Sequence, residues 1–265
     1  MMRTQLKIMM ISVIFNLMFV SPSTLAGTIR MGYFLLPPHV YRVEGETKPR
    51  GASISYFEAV SAQMGETVEW VGPLPLSRLG TYLKEGQESL DGTLICPKTP
   101  IQEAYLYYPD TPYYAMQYVF AVRRDNPLTE IRTIDDIAGY RIGYIKTVPM
   151  IYPPLLDQHL DRVQLEELGG DEWIRQNLQK LIAGRLDAVL DKNQDTIPFE
   201  AMRLKLDHEI KILLFPAPSL QIYMTFTKSS PRGQALVTKY NSAVKSLNLN
   251  YADFIQQEVA AGQKR

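Results

Sequence analysis

The residues able to do chemistry are few and scattered. The three histidines, His39, His159 and His208, lie far apart and lack the short spacings that put two imidazoles on one metal ion. There is no Gly-x-Ser-x-Gly, no phosphate-binding glycine loop and no cysteine paired with a histidine context. The single Cys96 sits in an apolar run, as a small buried residue would. Charge remains: Lys98 and Glu103 within the stretch 90–114, and Asp191 beside Lys192. Glu103 and Asp191 could pair their carboxylates across a cleft, but solute binding accounts for both without a reaction. No enzyme, metal or cofactor is expected.

Composition narrows the partners. Arg3 and Lys7 precede an apolar run at 8–20, and small residues follow up to Ala26, with Thr24 and Ala26 at the −3 and −1 positions of a cleavage site. This reads as a cleaved secretory signal over residues 1–26, because the run is shorter than the roughly 20 residues that span a bilayer. The expected location is a periplasm. Removing 26 of 265 residues leaves 239, with 26 basic and 28 acidic side chains and a net charge of −2. No basic patch occurs, so nucleic acid is not an expected partner. One cysteine makes no internal disulfide, so stability must come from core burial, which 46% hydrophobic residues permit. The protein is expected to be a monomer.

The elements that must position the charges follow from periodicity. Residues 28–32, 67–71 and 90–96 read as strands, and 52–64 and 76–85 as helices, the second stopped by Gly86. That β-α-β-α-β order predicts a parallel sheet with helices on its faces. A second series follows: strands at 118–123, 141–145, 163–167 and 186–190, and helices at 133–138, 149–160, 171–183 and 196–204. Strands at 210–215 and 222–227 and helices at 231–247 and 251–261 close the chain. No flexible linker or repeat divides the two series, so they read as two lobes of one body.

Several motifs recur in a familiar order. They are Pro37-Pro38 after the first strand, Gly51 before the first helix, Asp91 in LDGTLI, then YPDTPYY, TIDDIAGYRIGY and AGRLDAVLD. In order and spacing these resemble the periplasmic solute-binding proteins of polar amino-acid type (family 3) that serve ABC importers, of which this chain would be a divergent member. The resemblance implies an α/β, two-lobe, type II periplasmic-binding-protein fold, each lobe a mixed, mostly parallel sheet flanked by helices. Lobe one would be 27–112 plus 225–265, lobe two 118–219, with hinges at 113–117 and 220–224. The implied function is to enclose a small polar solute between the lobes, for import through an ABC permease or for sensing. Two alternatives stand beside it: a partner of a membrane signalling protein, and a cyclohexadienyl-dehydratase-like enzyme.

The family's ligand-contacting positions map onto this chain with departures. Tyr33 and Phe34 occupy the place of residues that pack on the ligand, and Leu76 stands at the second aromatic clamp. Arg78 either points into the cleft or caps its own helix. The carboxylate-gripping Arg, twelve residues after the strand Asp, is here Glu103. Lys98 either supplies the missing cation, pairs with Glu103 or lies in solvent. The second lobe's Gly-Thr or Gly-Ser turn is replaced by Thr147, Val148 and then Pro149, which has no N–H to give. The position of the amine-binding Asp falls on Lys192, with Asp191 one earlier. If Glu103 faces the ligand rather than solvent, a carboxylate beside it would be disfavoured. The expected solute is then cationic or neutral, or an amino acid in a reversed pose, and not a standard free L-amino acid in the family's usual pose.

Overall fold

The computed structural model describes residues 27–147 and 150–262. Residues 1–26, with the expected secretory signal, and Val148 and Pro149 of the expected turn lie outside the described residues.

Two sheets organise the chain. In the first, β1 (Thr28–Gly32) lies between β2 (Thr67–Val71) and β3 (Gly92–Pro97), parallel to both. α1 (Ala52–Gln63) and α2 (Leu76–Glu85) make the two crossovers. Helical spacing sets Ile54, Phe57 and Val60 on the inner face of α1, where all three are buried. The Phe57 ring meets Trp70, Phe226 and Tyr240. Gly86 ends α2 in the left-handed conformation, φ 71°, that glycine adopts without strain. A one-turn helix, α3 (Pro100–Glu103), is capped by Thr99, whose hydroxyl accepts the Gln102 amide. The short strands β4 (Leu106–Tyr107) and β5 (Tyr114–Met116) complete this part of the sheet.

The second sheet takes β6 (Val119–Arg123), β7 (Arg141–Ile145), β8 (Gln164–Leu168), β9 (Ala188–Asp191) and β10 (Ile210–Leu214) in the order β10-β6-β9-β7-β8. Its central strands are buried on both faces, as their unbroken apolar runs require. Alternation along β6 sends Phe120 and Val122 to a core with Ile142 and Tyr144. Val119 and Ala121 face the opposite core, with Leu178 and Leu181. α5 (Trp173–Ile182) and α6 (Thr196–Arg203) cover that second face. The helix expected at 149–160 differs. Among the described residues it is one turn, α4 (Pro154–Asp157), then a 3₁₀ turn at Leu160–Arg162. Pro153 and Pro154 each bar the preceding residue from helical conformation.

The chain returns through β11 (Leu220–Thr227), antiparallel to β3 and β4 in the first sheet. The start of β11 also pairs with β5, Leu220 against Met116 and Ile222 against Tyr114, so the outward and return passages run side by side. α7 (Gly233–Leu247) and α8 (Tyr251–Gly262) finish the first lobe.

Matching aspartates tie each lobe together. Asp91, at the mouth of β3, accepts the Arg30 amide of β1 at 2.9 Å and the Ser230 hydroxyl at 2.6 Å. Asp187, before β9, accepts the Arg141 amide of β7 at 2.9 Å and its guanidinium at 3.0 and 2.9 Å. That guanidinium is the main cause holding the Asp187 carboxyl below its ordinary range.

Candidate functional site

A cleft of about 700 Å³ opens between the lobes, within the range of small-molecule sites. The first lobe contributes the chain after β1 (Phe34, Leu36, Arg42) and the entry to α2 (Pro75, Leu76, Ser77). The second contributes the chain after β7 (Lys146, Thr147), the start of α5 (Asp171, Trp173, Arg175) and one face of α6 (Thr196, Glu200, Arg203). Both walls are chiefly segments beyond the carboxyl ends of parallel strands, where open α/β sheets present ligand sites.

Local conformation decides which side chains reach it. Tyr33 is 2% exposed and belongs to the core of the first lobe. The 72–74 segment crosses over it, with the Leu74 amide bonded to the Tyr33 carbonyl at 2.9 Å. Gly72, at φ 154°, permits that crossing, since a Cβ there would fall 2.6 Å from the Tyr33 oxygen. Phe34, next in the chain, points the other way and lines the cleft with Leu76 and Thr147. These three are the expected residues that the structure brings together.

The other expected residues lie elsewhere. Arg78 is exposed on α2, one turn into the helix, and is not among the lining residues. Lys98 and Glu103 pair with each other at 3.1 Å, both about half exposed. Neither lines the cleft, because Thr99 starts α3 with the two side chains flanking it. The ammonium of Lys98 also sits 5.6 Å from the Tyr108 ring centre. The acid at 103 therefore has a cationic neighbour as its counter-charge.

Asp191 is 3% exposed at the end of β9. Burial pushes its carboxyl up to about 7, against the backbone amide of Lys192, which donates to Oδ1 at 2.7 Å. Its Oδ2 has no hydrogen-bond partner among the described residues. Lys192 lies 5.6 Å from the Tyr144 ring centre, and burial lowers its pKa. The two form a half-satisfied polar pair inside the second lobe.

The cleft's own charges were not visible as motifs. Glu172 pairs with Arg175 at 3.1 Å at the start of α5, and Glu200 with Arg203 at 3.0 Å on α6. Arg42, Lys146 and Asp171 make no hydrogen bond or ion pair through their side chains among the described residues. Lys146 and the 170–175 segment follow strand ends, a positional signal that the general rule for α/β sheets supplies. Arg42 lies in an irregular loop and carried no signal. No group of acids, histidines or cysteines fit to hold a metal occurs among the described residues. No helix among them is long and apolar enough to cross a membrane.

The two lobes also touch directly beside the paired β5 and β11 strands. The Tyr114 hydroxyl donates to Asp195 and accepts from Gln194. Gln194 Oε1 also accepts the Gln117 amide at 2.7 Å. Buried His39 stands 3.4 Å from Asp195, its other nitrogen 2.6 Å from the Tyr251 hydroxyl.

Two mixed sheets flanked by helices, joined by paired passages and enclosing a cleft, define the two-lobe, type II periplasmic-binding-protein fold. Solved structures agree. The amino-acid ABC transporter substrate-binding protein AbpA from Streptococcus pneumoniae, bound to L-arginine, is 17% identical over 90% of this chain and 97% of its own, with a TM-score of 0.71. The periplasmic VFT2 domain of BvgS from Bordetella pertussis is 18% identical over 88% of this chain and 92% of its own, TM-score 0.66. The ancestral amino-acid-binding protein AncCDT-1, a precursor of cyclohexadienyl dehydratase, is 17% identical over 88% and 95%, TM-score 0.67. At these identities the likeness is one of fold. No protein-family model matches the chain, and no curated protein does.

Proposed function

We propose that the protein is an exported binding protein that encloses a small polar solute between its lobes, for import through an ABC permease or for ligand sensing. The observation that carries this reading is the cleft itself, walled from both lobes by strand-end loops and helix starts. Phe34, Leu76 and Thr147 are its proposed contacts. The lobes are proposed to meet at 113–117 and 220–224, where β5 and β11 pair, and to close by hinge motion about those strands. A standard free L-amino acid in the pose used by the polar amino-acid family is not the proposed solute, since the position of that family's carboxylate-gripping Arg holds Glu103, which lies outside the cleft and pairs with Lys98. Binding without turnover is proposed, and no cofactor is invoked.

Native mass spectrometry of the protein purified from its own compartment tests the reading. A co-purifying small molecule, lost when Thr147 or Trp173 is altered, supports it. A cleft that neither co-purifies nor accepts any solute in a thermal-shift screen overturns it.

A second reading, a sensory module partnering a membrane signalling protein, is favoured by one observation. His39, Tyr114, Gln194 and Asp195 bridge the lobes by direct polar contact, as a module whose signal is a fixed lobe arrangement would need. Co-purification with a membrane histidine kinase or cyclase rather than a permease would select it.

A further inference from the structure

We infer that the solute held in this cleft is a small carboxylate with an apolar body, its charge met by Arg42 from the first lobe and Lys146 from the second. The inference rests on the binding reading above and names the chemistry of that same site.

The cleft's charges do not cancel. Four cations (Arg42, Lys146, Arg175, Arg203) and three acids (Asp171, Glu172, Glu200) line it. Arg203 hydrogen-bonds to Glu200 at 3.0 Å, and Arg175 is ion-paired with Glu172 at 3.1 Å, though its Nε makes no hydrogen bond among the described residues. That leaves Arg42 and Lys146 against Asp171 alone. Asp171 lies one residue before Glu172, the N-cap of α5, where the helix dipole already favours a carboxylate.

Backbone polarity points the same way. α2 from the first lobe and α5 from the second both begin at the cleft, and neither has a side chain capping its first-turn amides. Those amides add positive potential to that of the two free cations. Between them the walls are apolar, with Phe34 and Leu76 on one side and Trp173 and Ile174 on the other.

Closure makes the charge decisive. Drawing the lobes together on an empty cleft, or on an amine, would desolvate two like charges without a partner. A carboxylate between them relieves that cost and forms charge-assisted hydrogen bonds to both. A guanidinium takes a carboxylate bidentately, while a lysine supplies a compact point charge on a flexible stem.

The test compares probes of matched shape and different charge: phenylacetate against phenylacetamide and phenethylamine, and glutarate against 1,5-diaminopentane. Calorimetric titration of the full mature chain should show the carboxylates binding and the amines not. Arg42→Gln and Lys146→Gln, both at exposed positions, should each weaken carboxylate binding by about tenfold. Wild-type affinity should fall as salt is raised. Amines that bind as well as carboxylates overturn the inference, as do two substitutions that each leave affinity within about twofold. Binding of none of the five probes also overturns it. A solute co-purifying in native mass spectrometry would then still uphold the binding reading, whereas an empty cleft in both experiments sinks both.

Discussion

His39 Nε2 of the first lobe stands 3.4 Å from Asp195 Oδ2 of the second, with the histidine fully buried and the aspartate side chain 20% exposed. The contact is built by local sequence. Gly51, at φ 128°, lets the start of α1 press against the loop before it, and a Cβ there would fall 2.2 Å from the His39 carbonyl oxygen. The amides of Ala52 and Ser53 then bond to the Pro38 and His39 carbonyls at 3.0 and 2.9 Å. Held this way, His39 reaches Tyr251 with one nitrogen and Asp195 with the other. The lobes are thus joined by a polar network beside β5 and β11 as well as by the strands themselves.

Replacing Asp195 with Ala should loosen that junction. It removes the acceptor of the Tyr114 hydroxyl and the carboxylate that stands beside His39, leaving the part-buried Tyr114 donor unpaired. A stability loss of about 2–4 kcal/mol is expected, read from urea midpoints. Small-angle scattering should also show a larger mean radius, as the lobes part. An unchanged midpoint with unchanged scattering would refute the junction.

Asp191 predicts a pH dependence of definite sign. Its folded-state pKa is raised to about 7 by burial, above the unfolded carboxylate value. The folded state therefore holds the proton more tightly, and stability from this group is greatest below the unfolded pKa. It declines as pH rises through the folded value. Asp191→Asn should flatten the fall between about pH 4 and 7, with a gain on the order of 2–4 kcal/mol at neutral pH. A variant as pH-dependent as wild type, in urea melts across that window, would show that the carboxylate is solvated.

Asp91 should matter for folding and not for binding. It is 8% exposed and satisfies the Arg30 amide and the Ser230 hydroxyl. Asp91→Ala strands both donors and should cost about 2–4 kcal/mol, while solute affinity in the folded fraction stays unchanged. A change in affinity larger than the change in stability would place Asp91 in the site.

The Lys98–Glu103 pair should be nearly silent. Both side chains are about half exposed, and such pairs contribute about 0–1 kcal/mol. Glu103→Gln is expected to leave both the melting midpoint and solute affinity unaltered. Tenfold tighter carboxylate binding in this variant would return Glu103 to the cleft.

By itself the sequence determined the architecture. The alternating run at β1, the apolar run at β6, helical spacing in α1 and the stop at Gly86 are local signals. The backbone obeys them wherever the segment lies, and together they specify two β/α series and two lobes. They failed at residues 149–160, where the apolar spacing was helical but the Pro153-Pro154 pair shortened the helix to a turn. Only the tertiary structure decided the site. Of the alternatives open for Lys98 and Glu103, facing a ligand, facing solvent or pairing, the two meet each other across one helical turn. Tyr33 goes under the Gly72 loop, while its neighbour Phe34 turns outward. Arg42 and Lys146, about a hundred residues apart, come to one cleft because loops from two separately folded sheets converge there. No local periodicity encodes such a meeting, since it depends on how the lobes pack and on which charges their own helices have already paired.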